Sequence, residues 1–239
     1  MLKLGEVKPG SMIIDMDDVL VYTVNLWFKY IMDRYELFKS YLNEDVIPDN
    51  YDYITHFNYP LSRPTYLFTD WLLKKDLSME DQLIGRRFIM EAYHEHINDF
   101  YKNVTATPLV DSIISMFKYK DFKFDKIYIV TRTLDNFEKE KTECIRRLFS
   151  PIINKVEIIF TEIGEKKSEA IKDIEKVSII FDDELSNIYD YIDNCNNIDN
   201  CIMMIPTTGY NVPFDNAYNE KIKKHNITVR YYNYWLKRP

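Results

Sequence analysis

The segment that most limits how this chain can fold is 12–20, where a short apolar run ends abruptly at carboxylates. Three apolar residues at 12–14 precede Asp15, Asp17 and Asp18, and a helical pattern of apolar residues follows Leu20. Such a run is typical of a strand buried on both faces, and in open parallel sheets ligands bind where the strands end. Neighbouring carboxylates repel each other, and a divalent cation between them or a proton on one of them relieves that repulsion. The segment predicts an acidic site at a strand end, and the simpler alternative is an acidic turn.

Composition limits the class of protein. The chain has 239 residues, of which 46% are apolar, and a net charge of −7. It is long enough for a full-sized core, and its charge disfavours stable binding to nucleic-acid backbones. Its cysteines, Cys144, Cys195 and Cys201, form no CxxC pair, which favours reduced thiols over disulfides or zinc. No apolar run approaches the roughly 18 residues of a membrane span. We therefore expect a cytoplasmic protein with no membrane partner.

Strand and helix patterns alternate through the second half of the chain. We expect strands at 126–132, 155–161, 177–181 and 201–206, and helices from Pro108 and at about 136–148, 168–174 and 185–191. Apolar strands that alternate with helices predict an α/β fold, namely a Rossmann-like parallel sheet with helices on both faces.

A largely helical stretch interrupts this alternation directly after the first strand. Helical spacing continues from Leu20 to Phe38, a proline-rich and aromatic segment follows, and further helices are expected at about 64–75 and 78–101. Ser78, with Asp81 three residues later, is typical of a helix start. We therefore expect an α/β core of residues 1–20 and 106–239, and a helical cap of residues 21–105 that covers the end of the first strand.

Three other strand ends carry polar side chains. Thr131 ends one strand, Lys166 and Lys167 open a helix between two strands, and Asp182 and Asp183 end another strand. Each has a simple structural explanation alone, as a helix cap or a solvated charge. Together with the first acidic pair, they supply the carboxylates, hydroxyl and ammonium that phosphoryl transfer through an aspartyl-phosphate requires.

The order and form of these segments resemble the haloacid-dehalogenase-like (HAD-like) phosphatase superfamily. The motif DxDx[TV] is present as residues 15–19, followed by Thr131, a lysine that opens a helix, and an acidic pair after the next strand. The resemblance spans residues 12–188. Asp18 stands where the family usually has glycine, which adds charge near the site. The resemblance implies a HAD-like core with a helical C1 cap.

The resemblance also implies roles for individual residues. Asp15 would be the nucleophile, and Asp17 the acid that protonates the leaving oxygen and later activates water. Thr131 would bind a phosphate oxygen, and Lys167 would neutralise the nucleophile and the transferring group. Lys167 fits the family's register better than Lys166, although the assignment could shift by one residue.

A Mg²⁺ ion is the cofactor that the resemblance implies. Its ligands would be Asp15, the backbone carbonyl of Asp17 and an acidic residue of the pair Asp182 and Asp183. Asp183 is preferred because residues 183–188 match the family pattern D-S-x-x-D-I, and Asp182 remains the alternative.

Within the superfamily the chain most resembles the 5'(3')-deoxyribonucleotidases, through residues 15–20, 98–113 and 206–211. This resemblance implies a nucleoside monophosphate substrate, deoxyribonucleoside in the first instance. A base would stack on aromatic rings of the cap, with Phe57 and Trp71 as candidates, and Arg132 is a further candidate contact to the substrate. For any single ring, ordinary core packing is the competing explanation.

Other functions stay open at this point. The substrate could be another small phosphoester or a polynucleotide end, although the charge of −7 and a large cap disfavour the latter. A phosphate- or metal-binding module without turnover is a further alternative. The expected partner is a small phosphomonoester; oligomeric state is undetermined, with a homodimer among the options.

Overall fold

The computed structural model describes residues 7–65, 67–118, 124–133, 137–211 and 214–233. The strands in this part of the chain are β1 (Gly10–Ile14), β2 (Phe124–Arg132), β3 (Val156–Thr161), β4 (Val177–Phe181), β5 (Ile202–Pro206) and β6 (Thr228–Tyr232). The α-helices are α1 (Thr23–Met32), α2 (Tyr35–Phe38), α3 (Phe68–Leu72), α4 (Met79–His94), α5 (Ile97–Asn103), α6 (Pro108–Lys118), α7 (Glu138–Leu148), α8 (Lys167–Ala170), α9 (Leu185–Asn194) and α10 (Asn219–Lys224).

All six strands form one parallel sheet in the order β3-β2-β1-β4-β5-β6. The chain moves outward from β1 through β2 to β3, returns to β4, and then moves outward in the other direction. Because crossovers between parallel strands are right-handed, the helices of the two halves lie on opposite faces of the sheet. The α/β fold class predicted from the sequence, with a helical insertion after β1, is therefore confirmed.

The centre of the sheet is where the apolar burial is greatest. Every residue of β1, β4 and β5 is buried, whereas β3 and β6 at the edges are partly exposed. On one face, Ile13 and Ile180 join Ile188 and Ile192 of α9 in a single hydrophobic cluster. Helices on both faces account for the continuous apolar sequence of the central strands. The direction of winding reverses between β1 and β4, which is where parallel sheets bind ligands.

The chain forms two compact units by its internal contacts. The core unit contains the sheet, within residues 7–21, 106–207 and 211–233, and the helical unit contains residues 22–105 together with 208–210. In the helical unit the Ser78 side chain accepts a hydrogen bond from the backbone N–H of Asp81 at 3.1 Å, so the predicted helix start is confirmed. No helix in the described residues has the length and apolar character needed to cross a bilayer.

Residues 208–210 join the helical unit through a close backbone approach. The backbone N–H of Gly209 donates to the carbonyl of Leu61 at 2.9 Å. A Cβ atom at Gly209 would lie only 2.0 Å from the carbonyl oxygen of Ser62, so this approach requires glycine.

Three expectations about individual elements were wrong. Strand β6 was missed because its residues are only half buried at a sheet edge and show no clear alternation. The helix expected over 168–174 ends at Ala170, and the Asn197 side chain donates to the carbonyls of Ile171 and Ile174 beyond that end, at 2.9 and 2.6 Å. The helix expected from about residue 64 begins only at Phe68.

Candidate active site

Asp15 lies directly after β1, at the carboxyl end of the middle of the sheet. Its backbone N–H donates to the carbonyl of Phe181 at 2.9 Å, which continues the pairing of β1 with β4. Its side-chain Oδ1 accepts from the N–H of Met16 at 2.8 Å, and only 9% of the residue is exposed. Strand pairing therefore fixes where this carboxylate lies.

A tight turn follows Asp15 and carries the second carboxylate. The backbone N–H groups of residues 19–21 all lie 2.9 to 3.4 Å from the carbonyl oxygen of Met16. The turn requires a positive φ of 54° at Asp18, in the left-handed region that glycine adopts most readily and that Asp tolerates better than most residues. The position where the resembled family has glycine thus has a backbone conformation suited to glycine.

Lys167 is the ammonium at the centre of the site. It is 2% exposed, and its Nζ lies 2.9 Å from Asp15 Oδ1 and 3.0 Å from Asp182 Oδ2. The first turn of α8 is held by Asp190, which accepts from the N–H of Ser168 at 3.0 Å. The side chain of Lys166 is 63% exposed, and its Nζ lies 3.9 Å from Asp190. The structure thus places Lys167, rather than Lys166, against the carboxylates.

The charges at this position shift each other's pKa values. The net effect of the surroundings raises the pKa of Asp15 to about 6: burial raises it most, Lys167 lowers it, and the Asp182 and Asp17 carboxylates add to the rise. Burial alone lowers the pKa of Lys167, but the Asp15 and Asp182 carboxylates outweigh it and hold that pKa well above its usual range. Lys167 is therefore protonated, and the charged form of Asp15 lacks full compensation.

Asp15, Asp182 and Asp183 form a buried group of three carboxylates. One oxygen from each lies within 4.8 Å of the others. Asp182 is occupied by donors, because Oδ2 accepts from Lys167 while Oδ1 accepts from the N–H of Glu184 and from Asn187 Nδ2, each at 3.0 Å. An all-oxygen donor set with excess negative charge fits a hard divalent cation such as Mg²⁺. Both oxygens of Asp182 thus accept hydrogen bonds, and the choice of Asp183 as the ligand beside Asp15 stays a prediction.

A second buried lysine, Lys141 of α7, holds Asp17 and Thr131. Its Nζ lies 2.5 Å from Asp17 Oδ2, 2.9 Å from Thr131 Oγ1 and 2.6 Å from the carbonyl oxygen of Arg132. Lys141 was not among the site residues predicted from the sequence. Its signal is helical register: Lys141 lies on the same buried face of α7 as Cys144 and Ile145, where a lysine is unexpected without an acidic partner.

Arg132 follows Thr131 at the end of β2 but bonds to α9 and the segment before it. Its Nη1 lies 3.0 Å from Glu184 Oε2, and its Nη2 donates to Asn187 Oδ1 at 3.0 Å. Asn187 in turn donates to Asp182. Arg132 thereby connects the end of β2 to the carboxylate of Asp182, and its contact with substrate stays a prediction. The links through Glu184 and Asn187 were also missed.

The two rings predicted to contact substrate lie in the helical unit. Phe57 is half-buried and meets the rings of Tyr22 and Tyr53 edge-on, with centroids 5.0 and 5.1 Å apart. Trp71 is 8% exposed and packs with Phe28 and Tyr59 at 5.7 and 5.5 Å. Core packing explains Trp71 fully, whereas Phe57 keeps an accessible surface.

Comparison with known proteins finds solved structures of similar fold, but it finds no match among family models or curated proteins. No protein-family model and no curated protein matches the chain. Among solved structures, a protein assigned as a phosphatase, from Clostridium difficile, is 13% identical with a TM-score of 0.53, covering 93% of this chain and 94% of its own. Haloacid dehalogenase-like family proteins from Streptococcus pneumoniae and Xanthomonas campestris are 10% and 11% identical, each with a TM-score of 0.47. They cover 94% and 92% of this chain, and 94% and 99% of their own.

The likeness to the Clostridium difficile protein extends over nearly the whole of both chains, so it includes the helical insertion as well as the sheet. The predicted fold class, an α/β fold with one parallel sheet and a helical insertion after the first strand, is confirmed. At this level of identity the likeness shows the fold alone, and the chemistry rests on the site's own geometry.

Proposed function

We propose that this chain is a Mg²⁺-dependent phosphatase of the HAD-like superfamily that hydrolyses phosphomonoesters through an aspartyl-phosphate on Asp15. One observation carries the proposal. The buried carboxylate of Asp15 shares the ammonium of Lys167 with Asp182, beside Asp183, at the sheet position where ligands bind. A nucleophile, a neutralising cation and carboxylates suited to a metal are the parts that phosphoryl transfer needs.

The first step forms a bond between a carboxylate oxygen of Asp15 and phosphorus. The ester P–O bond breaks, and the departing oxygen takes a proton from Asp17. Lys167 already bonds to Asp15 at 2.9 Å, so it orients the nucleophile and offsets charge on the transferring oxygens. Thr131 is the last residue but one of the neighbouring strand β2 and supplies a hydroxyl to a phosphate oxygen.

The second step releases inorganic phosphate. Asp17 takes a proton from water, the water oxygen attacks phosphorus, and the bond between phosphorus and Asp15 breaks. Asp17 ends the cycle protonated, as it began. Asp15 and Asp183, with the backbone carbonyl of Asp17, would hold Mg²⁺. When bound, this ion supplies charge neutralisation for the phosphoryl oxygens.

For the substrate, we propose a nucleoside monophosphate, deoxyribonucleoside in the first instance. Support comes from the sequence resemblance and from the aromatic content of the helical unit, where Phe57 is only half-buried. Because Trp71 is buried among other rings, Phe57 is the better candidate for stacking on a base.

A panel of monophosphates tests both levels of the proposal. Purified protein is incubated with Mg²⁺ and deoxyribonucleoside, ribonucleoside and sugar monophosphates, 5'-phosphorylated oligonucleotides and p-nitrophenyl phosphate, and released phosphate is measured. Matched reactions contain excess EDTA or the Asp15→Asn variant.

The expected result is EDTA-sensitive release that is fastest with nucleoside monophosphates and lost in the variant. Release that is fastest from sugar phosphates or from oligonucleotide ends would replace the substrate class but keep the chemistry. No release from any phosphoester by protein that binds Mg²⁺ would favour a binding module without turnover.

A further inference from the structure

Lys141 makes three hydrogen bonds inside the site, yet none of the steps above uses it. Its side chain is 4% exposed, and its ammonium group contacts Asp17, Thr131 and the carbonyl of Arg132. An ammonium group has three protons, so it can donate to all three of these oxygens at once. Burying a charged lysine costs free energy unless hydrogen-bond partners compensate for the lost water. The oxygens that Lys141 contacts supply this compensation.

We propose that Lys141 is a positioning residue, which fixes the acid–base carboxylate of Asp17 and orients the hydroxyl of Thr131 toward the phosphate. This inference rests on the proposed function. Lys141 lies outside the four sequence segments on which the resemblance to HAD-like phosphatases is based. Lys141 lies on α7, ten positions after Thr131, so the two residues come together only through the packing of α7 on the sheet.

The hydroxyl of Thr131 is oriented by the hydrogen bond that it accepts from Lys141. A hydroxyl group has one proton and two lone pairs. Because Lys141 Nζ donates to Oγ1 at 2.9 Å, one lone pair is occupied and the hydroxyl proton must point to another acceptor. The hydroxyl donates to the carbonyl oxygen of Arg132 only at a long distance of 3.4 Å. A phosphate oxygen would offer this proton a stronger, charge-assisted bond.

The carboxylate of Asp17 is fixed at one oxygen. Lys141 bonds to Oδ2, and 32% of the Asp17 side chain is exposed. An acid–base group must lie within hydrogen-bond reach of the leaving oxygen, and an ion pair with Lys141 favours one rotamer of this partly exposed side chain. The ammonium also stabilises the anion that Asp17 becomes once its proton has passed to the leaving oxygen.

Two substrates with different leaving groups distinguish a role of Lys141 in positioning Asp17 from a role in supporting the fold. An alkyl phosphate needs a proton on its departing oxygen, whereas p-nitrophenolate departs without one. If Lys141 acts through Asp17, its loss slows alkyl esters more than p-nitrophenyl phosphate. If Lys141 only supports the fold, both esters slow by the same factor.

The test compares Lys141→Met with the parent protein and with Lys139→Met, a control on the exposed face of the same helix. We measure kcat/KM for p-nitrophenyl phosphate and for the alkyl phosphate that the parent hydrolyses fastest, after thermal unfolding has shown that each protein is folded. The expected result for Lys141→Met is a ratio of alkyl to aryl kcat/KM that falls by at least about tenfold, since general acid catalysis contributes about 10²–10⁴-fold. Lys139→Met should leave the ratio unchanged.

A second measurement applies if Lys141→Met is poorly folded. Lys141→Gln is introduced into the parent and into Asp17→Asn. The kcat/KM values of the four proteins for the alkyl ester then form a double-mutant cycle. A role through Asp17 predicts that Lys141→Gln costs much less in the Asp17→Asn background than in the parent. Equal losses of kcat/KM for both esters, or additive losses in the cycle, would overturn the inference. Turnover by the parent protein would still support the proposed function in either case. A parent with no turnover would overturn both.

Discussion

The carboxyl end of the sheet and the helical unit bury side chains for opposite reasons. At the sheet end, Asp15, Lys167 and Asp182 are almost fully buried although each is charged. In the helical unit, Trp71 and Phe28 are buried as apolar rings that fill a core. Burying a charge opposes folding, whereas burying a ring stabilises it. The comparison teaches that the buried charges at the sheet end oppose folding, whereas the buried rings of Trp71 and Phe28 stabilise the helical unit.

The largest expected effect comes from the nucleophile. Asp15→Asn keeps the shape of the side chain but replaces a carboxylate by a poor nucleophile, so we expect kcat to fall by at least about 10³-fold, within the range seen when one catalytic group is removed. Phosphate release measures this loss, and circular dichroism checks that the fold persists. Residual turnover within tenfold of the parent would show that Asp15 is not the nucleophile.

The ring core of the helical unit should show the opposite behaviour. Trp71→Ala removes a buried ring, so we expect the free energy of unfolding to fall by about 3–5 kcal/mol, as for other buried aromatic residues. Denaturant titration measures the change, with the exposed Leu83, truncated to alanine, as a control expected to change it by less than about 0.5 kcal/mol. A small loss of stability accompanied by a large rise in KM for nucleotides would instead make Trp71 a substrate contact.

The two acidic residues after β4 should differ from each other. Asp182 is held by three donors, whereas Asp183 is the preferred metal ligand. We expect Asp183→Asn to raise the Mg²⁺ concentration for half-maximal activity by about 10–100-fold, the range seen when metal-site partners are lost. Asp182→Asn should chiefly lower thermal stability, because it weakens the bond to Lys167. The reverse pattern in Mg²⁺ titrations and melting curves would exchange the two roles.

The smallest expected effect is the pH dependence of stability without metal. The pKa of Asp15 is raised to about 6 by burial, so the folded protein binds a proton more tightly than the unfolded chain. The stability that this proton contributes is present at low pH and is lost as the pH rises through about 6. In EDTA, the parent should therefore gain about 1 kcal/mol relative to Asp15→Asn between pH 7.5 and pH 5. Denaturant titrations at both pH values that show no relative gain would contradict this origin of the shift.

Local patterns predicted the parts of the site that depend on short segments. The buried strand before Asp15, the hydroxyl at Thr131 and the helix opened by Lys167 each follow from a few adjacent residues. The alternation of apolar strands with helices then predicts a parallel sheet, in which the carboxyl ends of the strands lie at one edge. These rules bring the strand ends together without knowledge of any long-range side-chain contact.

The contacts that were missed depend on tertiary packing. Lys141 reaches the site because α7 buries one face, and Asn187 reaches Asp182 from the first turn of α9. Neither residue belongs to a motif, and burial of a polar side chain cannot be read from its type. Half-buried β6 was missed for a related reason, since pairing with β5 rather than its own pattern makes it a strand.

The most direct test of the account is to trap the phosphorylated enzyme. Asp17→Asn, in which the second step should be slow, is mixed with p-nitrophenyl phosphate and Mg²⁺, quenched in acid, digested and analysed by mass spectrometry, with Asp15→Asn as the control. The account predicts one phosphoryl group on the peptide that contains Asp15, and none in the control. A phosphoryl group on another residue, or nitrophenol release by Asp17→Asn without any modified peptide, would contradict it.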